Sequence, residues 1–383
     1  MSSLDKIKGN SKLRVAFTPD SPSHHFGKAT VQHFDVPELL PPKGDSRRIE
    51  TNGSEEAVKK LLAGTADIAI AWEPDVSRAL SHKGVIKLLG TEDTTKLIVD
   101  ILLVPRELAR KDPQMVETFL SVYFKVLKHY RDNRDQLKKE IKAETKLSDS
   151  AVETMLKGVQ WVSLTENCER WFGISAPGSR SDYAILDTIE STIRILINAG
   201  DFKQNPLPNK DPARIVYGAF LEKLYTSSVT GFTVAKAGGQ GVVNSLETKF
   251  PPLSEDGWKK LREIGTLKMD PIIFQQGISE LDSMAKEVLD DTAKSLQHYP
   301  HFRIMVKGYT AAVGDEAQNA ILSQERADSV GRYLNVVYNV DVNRIKVVGF
   351  GSSQPLPRLP DETTRAWHYR LARVELTLVR EEM

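Results

Sequence analysis

The residue types able to do chemistry in this chain lie in three places, and none of them makes a catalytic set. Near the amino end, Ser21, Ser23 and His24 sit in TPDSPSHHF, directly after the apolar stretch Lys12–Phe17. Trp72-Glu73 closes a second apolar stretch that starts at Asp67. Ligands of open α/β sheets bind beyond the carboxyl ends of the strands. Hydroxyls and an imidazole at such a place suit a small polar ligand; the same residues also make an ordinary helix N-cap. Near the carboxy end, Thr310, Asn319, Ser323 and Arg326 fall within Lys307–Ala327, KGYTAAVGDEAQNAILSQERA. Arg365, His368, Arg370 and Arg373 form a basic group that reads either as a solvated rim or as a contact for a carboxylate or anionic glycan. Cys168, lone and close to Trp171 and Phe172, reads as a small core residue. There is no metal-ligand spacing, no Gly-x-Ser-x-Gly elbow, no P-loop and no dinucleotide fingerprint. We therefore expect no enzyme, no metal and no cofactor.

The elements that must position these groups follow from composition and periodicity. The chain has 383 residues, 40% of them apolar and 27% charged, which suits two or three globular domains. A net charge of +1 gives no bulk attraction for nucleic acid or a membrane surface, and no apolar run is long enough to span a bilayer. Strands are expected at Lys12–Phe17, Asp67–Trp72, Val85–Gly90 and Leu97–Val104, with a helix at Glu55–Leu62 closed by Gly64. Strands alternating with helices argue for a doubly wound α/β lobe. Helices then follow at Pro113–Tyr130, Asp149–Lys157, Asp182–Ala199 and Pro212–Leu224. The first of these carries the stripe Val116, Phe119, Leu120, Tyr123, Phe124, Leu127. Thr226–Pro252, with Gly231, Gly238, Gly239, Gly241, Pro251 and Pro252, reads as a linker, followed by a helix at Ser254–Ile264. From Gly265 on, strand 267–274, helix 278–296, strand 303–309, helix 316–338, strand 345–350 and strand 370–379 give a mixed four-strand sheet with helices on one face. The expected division is 1–225, 226–264 and 265–383.

Lys307–Ala327 resembles the OmpA-like domain, the peptidoglycan-binding module shared by outer-membrane protein OmpA, Pal lipoproteins and MotB stators. In the family pattern GHTDxxGxxxxNxxLSxxRA, Gly308, Thr310, Asn319, Leu322, Ser323, Arg326 and Ala327 stand in matching places. The likeness continues through Asn343–Gly351, Gln354-Pro355 and Arg373–Leu376. The resemblance implies an α+β sandwich, a periplasmic and outer-membrane-associated place in the cell envelope, and peptidoglycan as partner. It also implies that Arg326 grips the carboxylate of the peptide-stem diamino acid, with Asn319, Arg373 and Thr310 around it. The Asp that would hold the ammonium falls on Ala311, the His on Tyr309, and the Asn and Arg of a later triplet on Leu371 and Ala372. Half of the clamp is gone, so wall binding is expected to be weakened or altered; Asp315 stands nearby, beyond Gly314.

Ser21–His24, Ala63–Asp67, Trp72-Glu73-Pro74 and Leu97–Asp100 are similar to type-2 periplasmic substrate-binding proteins of the nitrate, sulfonate and taurine group, the kind that serves ABC transporters. That likeness implies a periplasmic-binding-protein-like α/β lobe with extra helices, in which Ser21, Ser23, His24, Trp72 and Glu73 hold a small anionic solute. The turn comes only a few residues into the chain, so the first lobe is expected to be truncated, leaving the cleft one wall. MSSLDKIKGNSK lacks the apolar core of an export signal, which is expected to be absent from this sequence. Two readings stay open. One is a solute-binding-like module tethered to peptidoglycan. The other is a structural or protein-interaction module, with an envelope protein as partner, that has lost both ligands.

Overall fold

The computed structural model describes residues 3–174, 183–231, 250–272, 274, 278–311 and 313–381. Three short strands, β1 (Val15–Phe17), β2 (Arg48–Glu50) and β3 (Ile68–Ile70), form a parallel sheet in the order β2-β1-β3. The central strand is buried throughout, as a strand flanked on both sides must be. Helix α1 (Pro22–Phe34) leaves β1 by a cap in which Ser21 Oγ accepts from the His24 N–H and Pro22 takes the first turn. Helix α2 (Ser54–Leu62) carries the chain to β3 and is stopped at Gly64, whose φ of 69° is left-handed.

The two further strands expected at 85–90 and 97–104 do not form. That stretch holds only a helical turn at Thr91–Asp93, and Ile101, Leu102 and Leu103 stay 61%, 52% and 80% exposed. An apolar run becomes a strand only where a neighbour supplies the ladder, and the three-strand sheet offers it none. Helices α3 (Asp75–Leu80), α4 (Arg106–Lys111), α5 (Pro113–Asp132), α6 (Arg134–Thr145), α7 (Asp149–Lys157), the single turn α8 (Leu164–Glu166), α9 (Ala184–Asn198) and α10 (Ala219–Gly231) follow. On α5 only Val116 and Leu127 are buried; Phe119 and Tyr123 of the expected stripe are about half exposed. The expected helix from Pro212 splits into a short turn, Pro212–Ile215, and α10. Gly238, Gly239 and Gly241 of the expected linker lie outside the described residues.

The second sheet contains β4 (Arg262–Thr266), β5 (Arg303–Tyr309), β6 (Ile345–Gly349) and β7 (Arg373–Arg380), in the order β4-β7-β5-β6. It is mixed, as the periodicity predicts: β5 and β6 run parallel, and β7 is antiparallel to both β4 and β5. The strand expected at 267–274 does not form among the described residues; β4 lies before it, set by the pairing of Arg262 with Arg380 at the far end of β7, and the preceding helix shrinks to α11 (Glu255–Lys259). Helices α12 (Ser283–Leu296) and α13 (Glu316–Tyr338) cover this sheet region. The expected last strand is shortened by α14 (Thr364–Leu371), which Thr363 caps through the Ala366 N–H.

The two sheets share one core. Phe34 at the end of α1 and Tyr299 beyond α12 are 1% and 0% exposed, and their rings meet edge-on at 5.2 Å. Gly265 on β4 is what lets α1 in: a Cβ there would sit 2.8 Å from Phe34 Cδ1. The amino-terminal residues belong to the same core. Leu4 N–H donates to the Ile264 carbonyl at 2.7 Å, Thr266 donates twice to the Asp5 carboxylate at 3.0 and 3.1 Å, and Ile7 is fully buried. Arg380 holds Asp93 with two contacts of 2.9 and 2.8 Å. Burial pushes the Asp93 carboxyl up, and the Arg380 guanidinium pulls it back down. Replacing Ile7 with Ala should therefore lower the unfolding free energy by about 2–5 kcal/mol in urea denaturation followed on the four-strand region. A loss within about 0.5 kcal/mol would show that the amino-terminal residues lie outside that region's core.

Candidate functional site

The carboxy-terminal site is built on two close approaches. Gly308, next to last in β5, sits where a Cβ would stand 2.1 Å from the Ser323 carbonyl of α13, and Gly349 ends β6 where a Cβ would stand 2.5 Å from the Gln324 N. No residue but glycine lets α13 lie this near the strand ends. The turn after β6 is then stitched on. Ser323 Oγ donates to the Ala320 carbonyl at 2.8 Å and accepts from Gly351 N–H at 2.9 Å. Gln324 Oε1 accepts from Gly349 N–H at 2.7 Å, and Thr310 N–H donates to the Gly351 carbonyl at 2.8 Å. Asn319 closes the other side, its Nδ2 donating to the Val313 carbonyl at 3.0 Å. Gly349 and Gln324 were not singled out from the sequence; the signal was a glycine at the end of each of two adjacent strands.

Within this frame Arg326 is 5% exposed. Its Nε donates to the Ile278 carbonyl at 3.2 Å, and its guanidinium lies 4.8 Å from the Phe274 ring centroid. Burial pulls its pKa down, so an anion there meets a desolvated cation. Thr310 is also buried, and its Oγ1 has no hydrogen-bond partner among the described residues. Arg373 is placed differently. It sits opposite Tyr309 in the ladder and lies 3.8 Å over that ring, which itself stacks on Phe350 at 5.3 Å. Its guanidinium donates to Glu375 at 2.6 Å, to the Leu371 carbonyl at 3.1 Å and to the Gln354 carbonyl at 3.3 Å. Arg373 thus braces the strand end. Asp315 caps α13 by accepting from Gln318 N–H at 2.9 Å. Leu371 is 1% exposed, so the place of the family's amide is apolar.

The amino-terminal candidates gather where the loops after β1, β2 and β3 meet. Ser21 Oγ donates to the Thr18 carbonyl at 2.6 Å and lies 2.9 Å from Ser23 Oγ. His24 is 7% exposed, lies 4.8 Å from the Phe17 ring, and accepts from Asp20 N–H on Nδ1 at 3.1 Å. That acceptor role places the ring's proton on Nε2. Burial lowers its pKa further, with Lys28 and Arg48 adding to the effect. Ser54 Oγ binds both the N–H and the carbonyl of Trp72, at 2.9 and 3.0 Å, while the indole stays 41% exposed. Glu73 is spent locally, accepting from Ser77 N–H at 3.0 Å. Thr18 and Thr51, whose hydroxyls meet at 3.3 Å across the same edge, and Arg48, over Phe17 at 4.7 Å, escaped the sequence reading. Each is a polar residue within or directly after a strand only three residues long. Cys168 is buried and its thiol is pushed up to about 12 by burial, which leaves it an inert core group.

Comparison with known proteins bears on the first of these sites. Residues 273–366 match the family model of the OmpA family. The peptidoglycan-associated lipoprotein of Buchnera aphidicola subsp. Baizongia pistaciae is 32% identical over 113 residues, which is 30% of this chain and 64% of that protein. Outer membrane protein P5 of Haemophilus influenzae is 34% identical over 85 residues, 22% of this chain and 24% of that protein. The chain thus spans less than two thirds of the length of either relative. The crystal structure of the peptidoglycan-associated lipoprotein from Burkholderia pseudomallei aligns with 30% of this chain and 91% of its own at 23% identity, with a TM-score of 0.25. The carboxy-terminal region is OmpA-like.

The packing at Gly308 makes a sharp prediction. Gly308→Ala should cost about 3 kcal/mol or more of stability, because the opposing atom is backbone and cannot step aside. Gly53→Ala, with open space around its Cβ, should cost less than about 1 kcal/mol. Equal midpoints for the two variants in chemical denaturation would contradict the close approach.

Proposed function

We propose that this chain is a non-enzymatic cell-envelope protein whose OmpA-like region contacts peptidoglycan through a one-sided site. Arg326 grips a stem-peptide carboxylate; Asn319 and Thr310 shape the turn beside it; Arg373 holds the neighbouring strand end. The observation that carries this reading is the frame of Gly308, Gly349, Ser323 and Gln324, which holds the helix bearing Arg326 at the strand ends within the region matched to the OmpA family. The ammonium half of the clamp is missing at Ala311, and Asp315 is already engaged as a helix cap, so affinity is lower than a two-point grip would give. Periplasmic, outer-membrane-associated placement belongs to the same proposal.

A second role is supported by a separate observation, the convergence of the Thr18, Ser21, Ser23, Thr51 and Ser54 hydroxyls with His24 at the carboxyl edge of the three-strand sheet. There the chain holds a small anionic solute, with Trp72 at the rim, in a half-lobe similar to substrate-binding proteins. Glu73 serves α3 rather than the ligand. The full chain, rather than the carboxy-terminal part alone, is the species to test, because Leu4, Ile7 and Phe34 complete the core of that part.

In co-sedimentation with purified peptidoglycan, Arg326→Ala should weaken binding about 10- to 100-fold, and Ala311→Asp should strengthen it by about 10-fold. Sedimentation that neither substitution alters would overturn the Arg326 site. If only Ala311→Asp binds, the fold persists without wall affinity and the protein-interaction reading takes its place. For the amino-terminal site, nitrate, taurine or an alkanesulfonate at about 100 times its Kd should stabilise the chain by about 2.7 kcal/mol, and Ser23→Ala should remove the effect. A flat melting temperature across these solutes would exclude the solute role.

A further inference from the structure

Two imidazoles are stacked inside the joint between the sheets. His33 on α1 and His298 beyond α12 lie 5.4 Å apart at an interplanar angle of 14°. His298 Nδ1 faces the Thr95 carbonyl at 3.0 Å and must donate to it; its Nε2 meets Ser191 Oγ at 3.1 Å and accepts from that hydroxyl when the ring is neutral. Tyr299, fully buried, has its hydroxyl in hydrogen-bond contact with His33 Nδ1 at 2.8 Å. These contacts tie α1, α9, residue 95 and the end of α12 to one another. Thr95 N–H donates back to the His298 carbonyl at 2.9 Å, and Lys268 N–H donates to the His33 carbonyl at 2.6 Å.

The groups facing this pair do not welcome added positive charge. His33 meets His298, Arg194 on α9 and His25 one stretch back on α1. His298 meets Lys96 and Arg194. Lys28 and Asp201 face His25 as an ion pair of 2.6 Å, Lys96 reaches Asp187 at 3.7 Å, and Asp35 beyond α1 is held by Lys8 at 2.7 Å and Lys268 at 3.3 Å. On the far side His301 faces Asp93, itself committed to Arg380, and Arg344. Each of these carboxylates already has its cation.

We propose that the His33–His298 stack is an acid-sensitive latch: protonating either ring places a buried cation against its stacked neighbour and against Arg194 and Lys96, and opens the joint between α1, residues 95–96, α9 and the end of α12 ahead of global unfolding. Burial holds the His33 pKa down at about 3 and lowers that of His298 as well. The open joint therefore binds more protons than the closed one. Its closed-state stability is complete above the ordinary histidine value near 6.5 and is lost as pH falls below that value toward the depressed ones.

Hydrogen exchange of the full chain between pH 7.5 and 5.0, corrected for intrinsic rates, tests this. Protection in peptides covering 26–36, 91–98, 188–198 and 295–303 should fall by up to about 10-fold per pH unit for each histidine below pH 6.5, while β7 stays protected. The double variant His33→Asn/His298→Gln keeps polar side chains that do not titrate, and its joint should show a clearly shallower slope, that of His25 and His301 alone. The proposal is overturned if β7 loses protection in step with the joint, or if the double variant keeps the wild-type slope. Should the variant not fold, imidazole NMR of the wild type decides. Rings of His33 and His298 that stay neutral at pH 5.5 in the closed state support the latch, and ordinary titration near 6.5 with an intact joint refutes it.

Discussion

The joint between the two sheets is centred on α1, and α1 fits because Gly265 has no side chain. With Phe34 seated on that glycine and edge-on to Tyr299, the helix is gripped by the four-strand sheet at its carboxyl end. Along its length Ala29 packs on Leu97 and Ile195, Gln32 Nε2 donates to the Ile195 carbonyl at 2.6 Å, and Lys28 pairs with Asp201. A helix of 13 residues with small groups on the packed faces can be approached from several sides at once. A side chain at Gly265 would meet Phe34 and Leu4, and with Phe34 displaced its ring contact with Tyr299 is lost.

The two candidate sites lie at the far reaches of this arrangement. The solute candidates gather at the amino end of α1, about 20 Å from Phe34 by the rise of an α-helix. The Arg326 site stands at the carboxyl end of β5, while the joint touches the beginning of that strand through Phe302 and Arg380. The joint therefore lies away from both candidate sites. In both, the residues that look most chemical do structural work: Ser323 and Ser21 stitch turns, Glu73 and Asp315 cap helices, and Arg373 braces Tyr309. Arg326 differs, as a guanidinium drawn into the interior beside a ring and a carbonyl.

Much of the carboxy-terminal fold was legible in the sequence. The alternation at Arg303–Tyr309 and the apolar spacing of Glu316–Tyr338 give β5 and α13 their bounds, and the mixed sheet follows from their order. What periodicity misses is context. Ala317, Ala320 and Ile321 keep helical spacing yet face outward, because the helix passes beyond the sheet edge there. Leu97–Val104 is as apolar as any strand and forms none for want of a neighbour. The joint was invisible because its members, His33, Thr95, Ser191 and His298, are scattered over the chain and only packing brings them together. The family pattern likewise marks Gly308 without its reason, which is the carbonyl of Ser323 facing it.

The central claim is that the amino-terminal unit and the OmpA-like sheet form one cooperative core. Native-state hydrogen exchange at pH 7.5 in rising denaturant tests it directly. If the core is shared, the slowest amides of β1 and of β7 merge onto one unfolding isotherm with a common free energy and slope. Two isotherms that never merge, with β7 still protected after β1 has opened, would contradict it and leave Phe34 a surface contact between independent domains.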